Sequence, residues 1–125
     1  MRQSTTNGPI DYRNDGEWGP AYLLRTDSLD LGVVRLRPGD LVDNHYHEHC
    51  DESFVVLEGE CTLWTDMSRR STMRQGEVYS CAPGERHCVV NESDADCRFV
   101  FIKSPPSPGD TIPDAWLPPR AADAG

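Results

Sequence analysis

Lysine is almost missing from this chain. Lys103 is the only one in 125 residues, and the other eleven basic residues are arginines scattered along the sequence. Against 21 acidic residues they leave a formal net charge of -9. Binding a phosphate backbone requires clustered Lys and Arg, so no nucleic-acid partner is expected. An anionic membrane surface is disfavoured for the same reason. Long apolar runs are also lacking: the longest are four to five residues, as at Phe99–Ile102, too short to span a bilayer. Met1 to Asp11 is polar and has no apolar h-region, so a secretory signal is not expected and a cytoplasmic location is. Helical periodicity is absent too, which predicts almost no helix.

The five cysteines, Cys50, Cys61, Cys81, Cys88 and Cys97, are odd in number, and no two stand at Cys-x-x-Cys spacing. Neither a zinc knuckle nor a redox pair is indicated. Five reduced thiols are the expectation, with a functional role for Cys50 or Cys88 as the alternative.

What is present is a series of short β-type runs within a length that suits one domain and one core. They are Tyr22–Arg25, Asp30–Arg37, Ser53–Leu57, Cys61–Thr65, Ser71–Arg74, Val78–Cys81, Arg86–Val90 and Cys97–Lys103. Between them stand turn residues such as Pro38-Gly39-Asp40, Glu58-Gly59, Gln75-Gly76 and Pro83-Gly84. Strands at this spacing predict an all-β sandwich or barrel. Residues 1–19 read as a flexible N-terminal arm without its own core, 20–104 as the barrel, and 105–125 as a Pro-rich tail. Ile112 and Trp116 are the residues in that tail able to pin it to the barrel.

The four histidines are concentrated. Three fall in His45-Tyr46-His47-Glu48-His49, and Glu52 follows closely. On an extended segment, side chains at i and i+2 share a face, so His45 and His47 can converge on one point. Glu52 can add a carboxylate oxygen, and His87, distant in sequence, can close the set across a barrel. A His-rich surface loop is the competing interpretation of the cluster. Three imidazoles and a carboxylate suit one divalent ion, with Fe or Mn favoured and Zn, Ni or Co as alternatives.

The spacing around these residues resembles the cupin superfamily. Gly39, His45, His47, Glu52 and Gly59 match the fixed positions of its first motif, and Gly76, Gly84, His87 and Asn91 those of the second. Ala82 stands where the family usually has proline, and the adjacent Pro83 is expected to keep the turn. The resemblance covers about Gly32 to Pro105. It implies a double-stranded β-helix (jelly-roll) barrel with His45, His47, Glu52 and His87 as metal ligands. The motif glycines are turn residues, not phosphate cradles.

Several further residues are candidates. His49 lies outside the motif and is the candidate for proton transfer, with solvent exposure as its alternative. Phe54 shares the parity of Glu52 and is expected to wall the substrate pocket. Arg35, Arg37 and Arg98 lie within strands, and Arg35 is the candidate to hold a substrate carboxylate. Leu23, Val34 and Leu36 offer apolar contact for a homodimer.

The functional expectation is a metal-dependent enzyme acting on a small oxygenated molecule chelated to the ion, with dioxygenase chemistry favoured. A non-redox isomerase, lyase or cyclase is the alternative, and a non-catalytic ligand- or metal-binding protein the third. Fold and ligand set do not choose among them.

Overall fold

The computed structural model describes residues 1–119, so residues 120–125, the end of the predicted tail, lie outside the described residues. The elements are β1 (Gly19–Arg25), β2 (Asp30–Leu36), β3 (Leu41–Tyr46), β4 (Asp51–Glu58), β5 (Glu60–Thr65), β6 (Arg69–Arg74), β7 (Val78–Cys81), β8 (His87–Val90), β9 (Cys97–Ser104) and β10 (Ile112–Pro113). They form two five-stranded sheets, ordered β1-β2-β9-β4-β7 and β10-β3-β8-β5-β6, with every pair antiparallel. This is the expected all-β jelly-roll barrel, with no helix among the described residues. No helix is therefore long and apolar enough to cross a membrane.

The barrel closes because each central strand alternates. In β4, Glu52, Phe54 and Val56 are buried between less buried neighbours, and in β9 Cys97, Phe99 and Phe101 do the same. Phe54 pairs with Phe101 and Val56 with Phe99, so both strands send these side chains into one core with Leu36, Leu63, Met73 and Val89. Each such burial contributes about 1.5–3 kcal/mol.

Gly32 is required by close approach: a Cβ there would stand 2.3 Å from the Ala21 carbonyl oxygen and 2.4 Å from the Phe101 ring. That opening seats the ring against Tyr22, at 5.2 Å between centroids and edge-on. Gly59 combines a φ of 71° with a Cβ position only 2.3 Å from the Asp96 carbonyl oxygen, so its turn excludes any side chain. Asn91 is wholly buried and ties a strand end, donating to the carbonyls of Leu36 and Ala95, each at 2.8 Å.

Part of the N-terminal arm lies against the barrel. Tyr12 is buried with Ala21 and Val33, and Ile10 packs on this second cluster. Leu23 packs there as well, while Val34 and Leu36 belong to the interior core. Val34 and Leu36, two of the three residues expected to supply a dimer contact, are thus buried within the chain, while Leu23 is only partly buried. Alternation is the reason, because the apolar positions of β2 that face inward cannot also cover an outer surface.

The expectation of five reduced thiols is corrected at one pair. Cys61 on β5 and Cys97 on β9 are joined by a disulfide between the two sheets, with Cα atoms 6.3 Å apart. They are 36 positions apart in sequence, so spacing carried no sign of the pairing. Cys50, Cys81 and Cys88 are free and buried. Burial first, with nearby carboxylates adding to it, pushes the Cys50 thiol up to about 11, and Cys81 and Cys88 to about 12.

Candidate metal centre

His45 lies on β3, His47 immediately beyond that strand's end, and His87 opens the neighbouring β8. His45 and His87 are direct register partners, and their rings lie 4.3 Å apart between centroids. Glu52 arrives from β4 in the opposing sheet. Its Oε1 lies 2.9 Å from His87 Nε2, 3.1 Å from His47 Nε2 and 3.7 Å from His45 Nε2. Three imidazole nitrogens therefore aim at one carboxylate oxygen, and the four donor atoms all lie within 4.8 Å of one another.

The other side of each ring is fixed by the main chain. Nδ1 of His45 meets the Asp43 carbonyl at 2.6 Å, that of His47 the Asp110 carbonyl at 2.8 Å, and that of His87 the Glu85 carbonyl at 3.0 Å. A carbonyl oxygen only accepts, so each Nδ1 carries the hydrogen and donates it. With Nδ1 so committed, a deprotonated Nε2 presents its lone pair toward the common point, and a protonated one donates to Glu52 Oε1. This is how ligating histidines are oriented in metalloproteins. The donor set of three nitrogens and one oxygen fits a divalent Fe, Mn, Co, Ni or Zn ion.

Electrostatics favour the charged carboxylate. Burial pushes Glu52 upward, but hydrogen bonds from His45, His47 and His87 outweigh it and hold the carboxyl well below its usual range. For His47, burial disfavours the charged ring, and the bond and charge of Glu52 overcome this and raise its pKa.

The centre borders a cavity of about 590 Å³. His45, Glu52 and His87 line it, while His47 lies behind them against the chain at Asp110. His45 is the most open ligand, its side chain 13% exposed against 1% for His87. The remaining wall is largely apolar and aromatic, with Phe54, Phe99, Phe101, Tyr22 and Trp18. Phe54 stands 6.0 Å from the His87 ring and 5.4 Å from Phe99.

Two sequence-based candidates fall elsewhere. The His49 side chain is 70% exposed beside Glu48 and does not line the cavity; its backbone N–H donates to Asp110 Oδ2. The chain turns after His47, so the two-residue alternation stops short of it. Arg35 points outward, because Val34 and Leu36 on either side of it face the core. Its guanidinium pairs with Asp96 at 2.7 Å and donates to the Glu17 carbonyl. Arg37 is held by Asp40 and Glu17, and Arg98 by Glu58, so none of the three arginines lines the cavity.

The cations that do line it are Arg13, from the N-terminal arm, and Lys103. The position of Lys103 continues the inward parity of Phe99 and Phe101, a signal present in the sequence. Asp110 was not legible. It reaches the centre through the tail, where its carboxylate accepts from the backbone N–H groups of Glu48 and His49, both at 2.8 Å, while its carbonyl holds His47.

The tail is fastened over this side of the barrel. Ile112 and Pro113 pair with Tyr46 and His45, Asp114 bonds Arg86 at 3.1 Å, and Trp116 packs edge-on against Trp64 at 5.6 Å. Arg86 in turn lies 3.8 Å over the Tyr46 ring.

Comparison with known proteins agrees with this fold. The Cupin domain family matches residues 32–103. The tetracenomycin polyketide synthase protein TcmJ of Streptomyces glaucescens is 30% identical over 78 residues, 62% of this chain and 52% of that protein. Quercetin 2,3-dioxygenase of Bacillus subtilis is 43% identical over 47 residues, 37% of this chain and 14% of the enzyme. The chain thus spans about half the length of TcmJ and of two further Streptomyces relatives, and a smaller part of the dioxygenase. An uncharacterized Klebsiella pneumoniae protein with a double-stranded β-helix domain superposes with a TM-score of 0.80 at 21% identity, covering 92% of this chain and 99% of that one. With the family match extending over more than half of its residues, this chain belongs to the cupin family.

Proposed function

We propose that this cupin is a metal-dependent enzyme acting on a small oxygenated molecule, with dioxygenase-type oxidation favoured. The observation that carries the reading is the convergence of three Nε2 atoms on Glu52 Oε1, with every Nδ1 already committed to a carbonyl, at the wall of a cavity. His45, His47, Glu52 and His87 would hold one divalent ion, Fe or Mn before Zn, Ni or Co. Such an ion supplies Lewis acidity and, for Fe or Mn, redox chemistry.

The chain's own residues account for binding and orientation. His47 and His87 are almost fully buried, so they form the fixed back of the site, and His45 faces the cavity. Phe54, Phe99 and Phe101 exclude water from one side of a bound molecule and favour a flat, apolar body. A volume of about 590 Å³ suits one small molecule. The similarity to a quercetin dioxygenase supports the oxidative reading.

The two relatives named as polyketide synthase proteins favour a second reading, in which the same site performs non-redox chemistry on a molecule rich in carbonyl and hydroxyl groups. Elemental analysis of protein purified without chelator, followed by oxygen-uptake assays on polyphenols and polyketide-like phenols, separates the two. Stoichiometric iron or manganese with oxygen uptake is the expected result. Zinc without uptake would overturn the oxidative reading in favour of the second.

A further inference from the structure

The chain's one lysine is placed where a charge is least comfortable. Lys103 is the last inward position of β9, following Phe99 and Phe101, and is only partly exposed. It is the register partner of Glu52, so it stands on the cavity wall beside the histidine cluster. Its Nζ donates to the Tyr22 hydroxyl at 2.9 Å and lies 5.4 Å from the Tyr22 ring centroid and 5.6 Å from that of Phe101. Among the described residues neither Lys103 nor Arg13, the other cation on the cavity wall, forms an ion pair, whereas Arg35, Arg37, Arg86 and Arg98 all do. An ammonium has three protons to donate, and Tyr22 accepts one of them.

A partly desolvated ammonium set against aromatic faces, with donor capacity left over, is organised to receive an anionic oxygen. Tyr22 contributes to the same point, because a hydroxyl that accepts from Lys103 keeps its own hydrogen to donate. The surrounding wall of Phe54, Phe99 and Phe101 fits the flat body of a conjugated molecule.

We propose that Lys103 and Tyr22 form an anion-binding subsite in the barrel cavity that takes the carboxylate, phenolate or enolate oxygen of a planar conjugated substrate. The proposal rests on the enzymatic reading above for the word substrate, but not for the binding itself. It gives the cavity a polarity: the anionic oxygen sits at Lys103, the flat body lies along the phenylalanines, and the remaining oxygen atoms face His45 and Glu52.

The test uses 3-hydroxy-2-naphthoate as probe and its neutral amide as control, titrated by quenching of tryptophan fluorescence, since Trp18 lines the cavity. Both are measured on the full chain as purified and after metal removal by chelator. The acid is expected to bind both preparations more tightly than the amide. Lys103→Gln should weaken the acid by about 10-fold or more, the loss of one charge-assisted hydrogen bond. It should leave the amide unchanged, and Lys103→Arg should restore acid binding. Tyr22→Phe should weaken the acid by a smaller factor.

Equal affinity of the unmodified chain for acid and amide would overturn the subsite without recourse to any variant, as would a failure to bind the acid at all. Undiminished acid binding by a folded Lys103→Gln protein would overturn it too. These outcomes are separate from those of the enzymatic reading. A chain without metal or turnover that still binds the acid through Lys103 would sink that reading and uphold the subsite.

Discussion

Nδ1 of His47 donates its hydrogen to the main-chain oxygen of Asp110, 2.8 Å away and 63 positions further along the chain. The bond joins the barrel's most buried histidine-rich corner to the tail that follows β9. It also defines what the tail does: Asp110 caps two backbone N–H groups with its carboxylate and fixes the ring of His47 with its carbonyl.

Loosening this contact should therefore lower metal affinity without removing a ligand. Asp110→Ala leaves the carbonyl in the chain but removes the carboxylate that anchors it. Loss of outer contacts of this kind costs about 10-fold to 100-fold in affinity. Competition with a chromophoric chelator should show a weakening in that range, with circular dichroism of the barrel retained. Unchanged affinity would mean that β10 and Trp116 hold the tail well enough alone.

His49 should prove dispensable. Its ring is exposed and its backbone makes the contact with Asp110. His49→Gln is expected to leave metal content and turnover within error of the unmodified chain, as measured by elemental analysis and steady-state rates. A loss of turnover with metal intact would return His49 to a role in proton transfer.

The thiol count tests the link between the sheets. Unfolded protein without reductant should titrate three thiols, those of Cys50, Cys81 and Cys88, and five after reduction. In the folded state all three should alkylate slowly at pH 8. Their pKa values of about 11 to 12 leave little thiolate there, and the rate should climb as pH rises toward them. Five thiols without reductant would remove the Cys61–Cys97 bond from the account.

Much of the fold was legible because the inward and outward faces of β4 and β9 are chemically distinct. Alternation identified Phe54 as sharing the face of Glu52, and the same alternation, applied to Val34 and Leu36, argues that Arg35 points out. The strand that carries His45 was harder to see. In β3, Leu41–Tyr46, the polar pair Asp43-Asn44 interrupts the apolar pattern, and the pairing with β8 shifts register between Val42 and His45. The four clustered donors were readable from motif spacing, because that spacing fixes which turn and strand each occupies. Lys103 was readable from parity alone. The contacts of Asp110 with His47 and of Cys61 with Cys97 were not, since each joins segments brought together only by barrel closure.

The central claim is that His45, His47, Glu52 and His87 hold one ion. Its most direct measurement is metal stoichiometry per chain, by elemental analysis and calorimetric titration with Fe(II), Mn(II) and Zn(II), on the unmodified protein and on His87→Ala. The account predicts one ion per chain in the unmodified protein. In the variant it predicts a loss of bound metal and affinity weakened by at least about 10-fold, since one of the converging nitrogens is gone. A folded His87→Ala protein that retains one ion at undiminished affinity would contradict it.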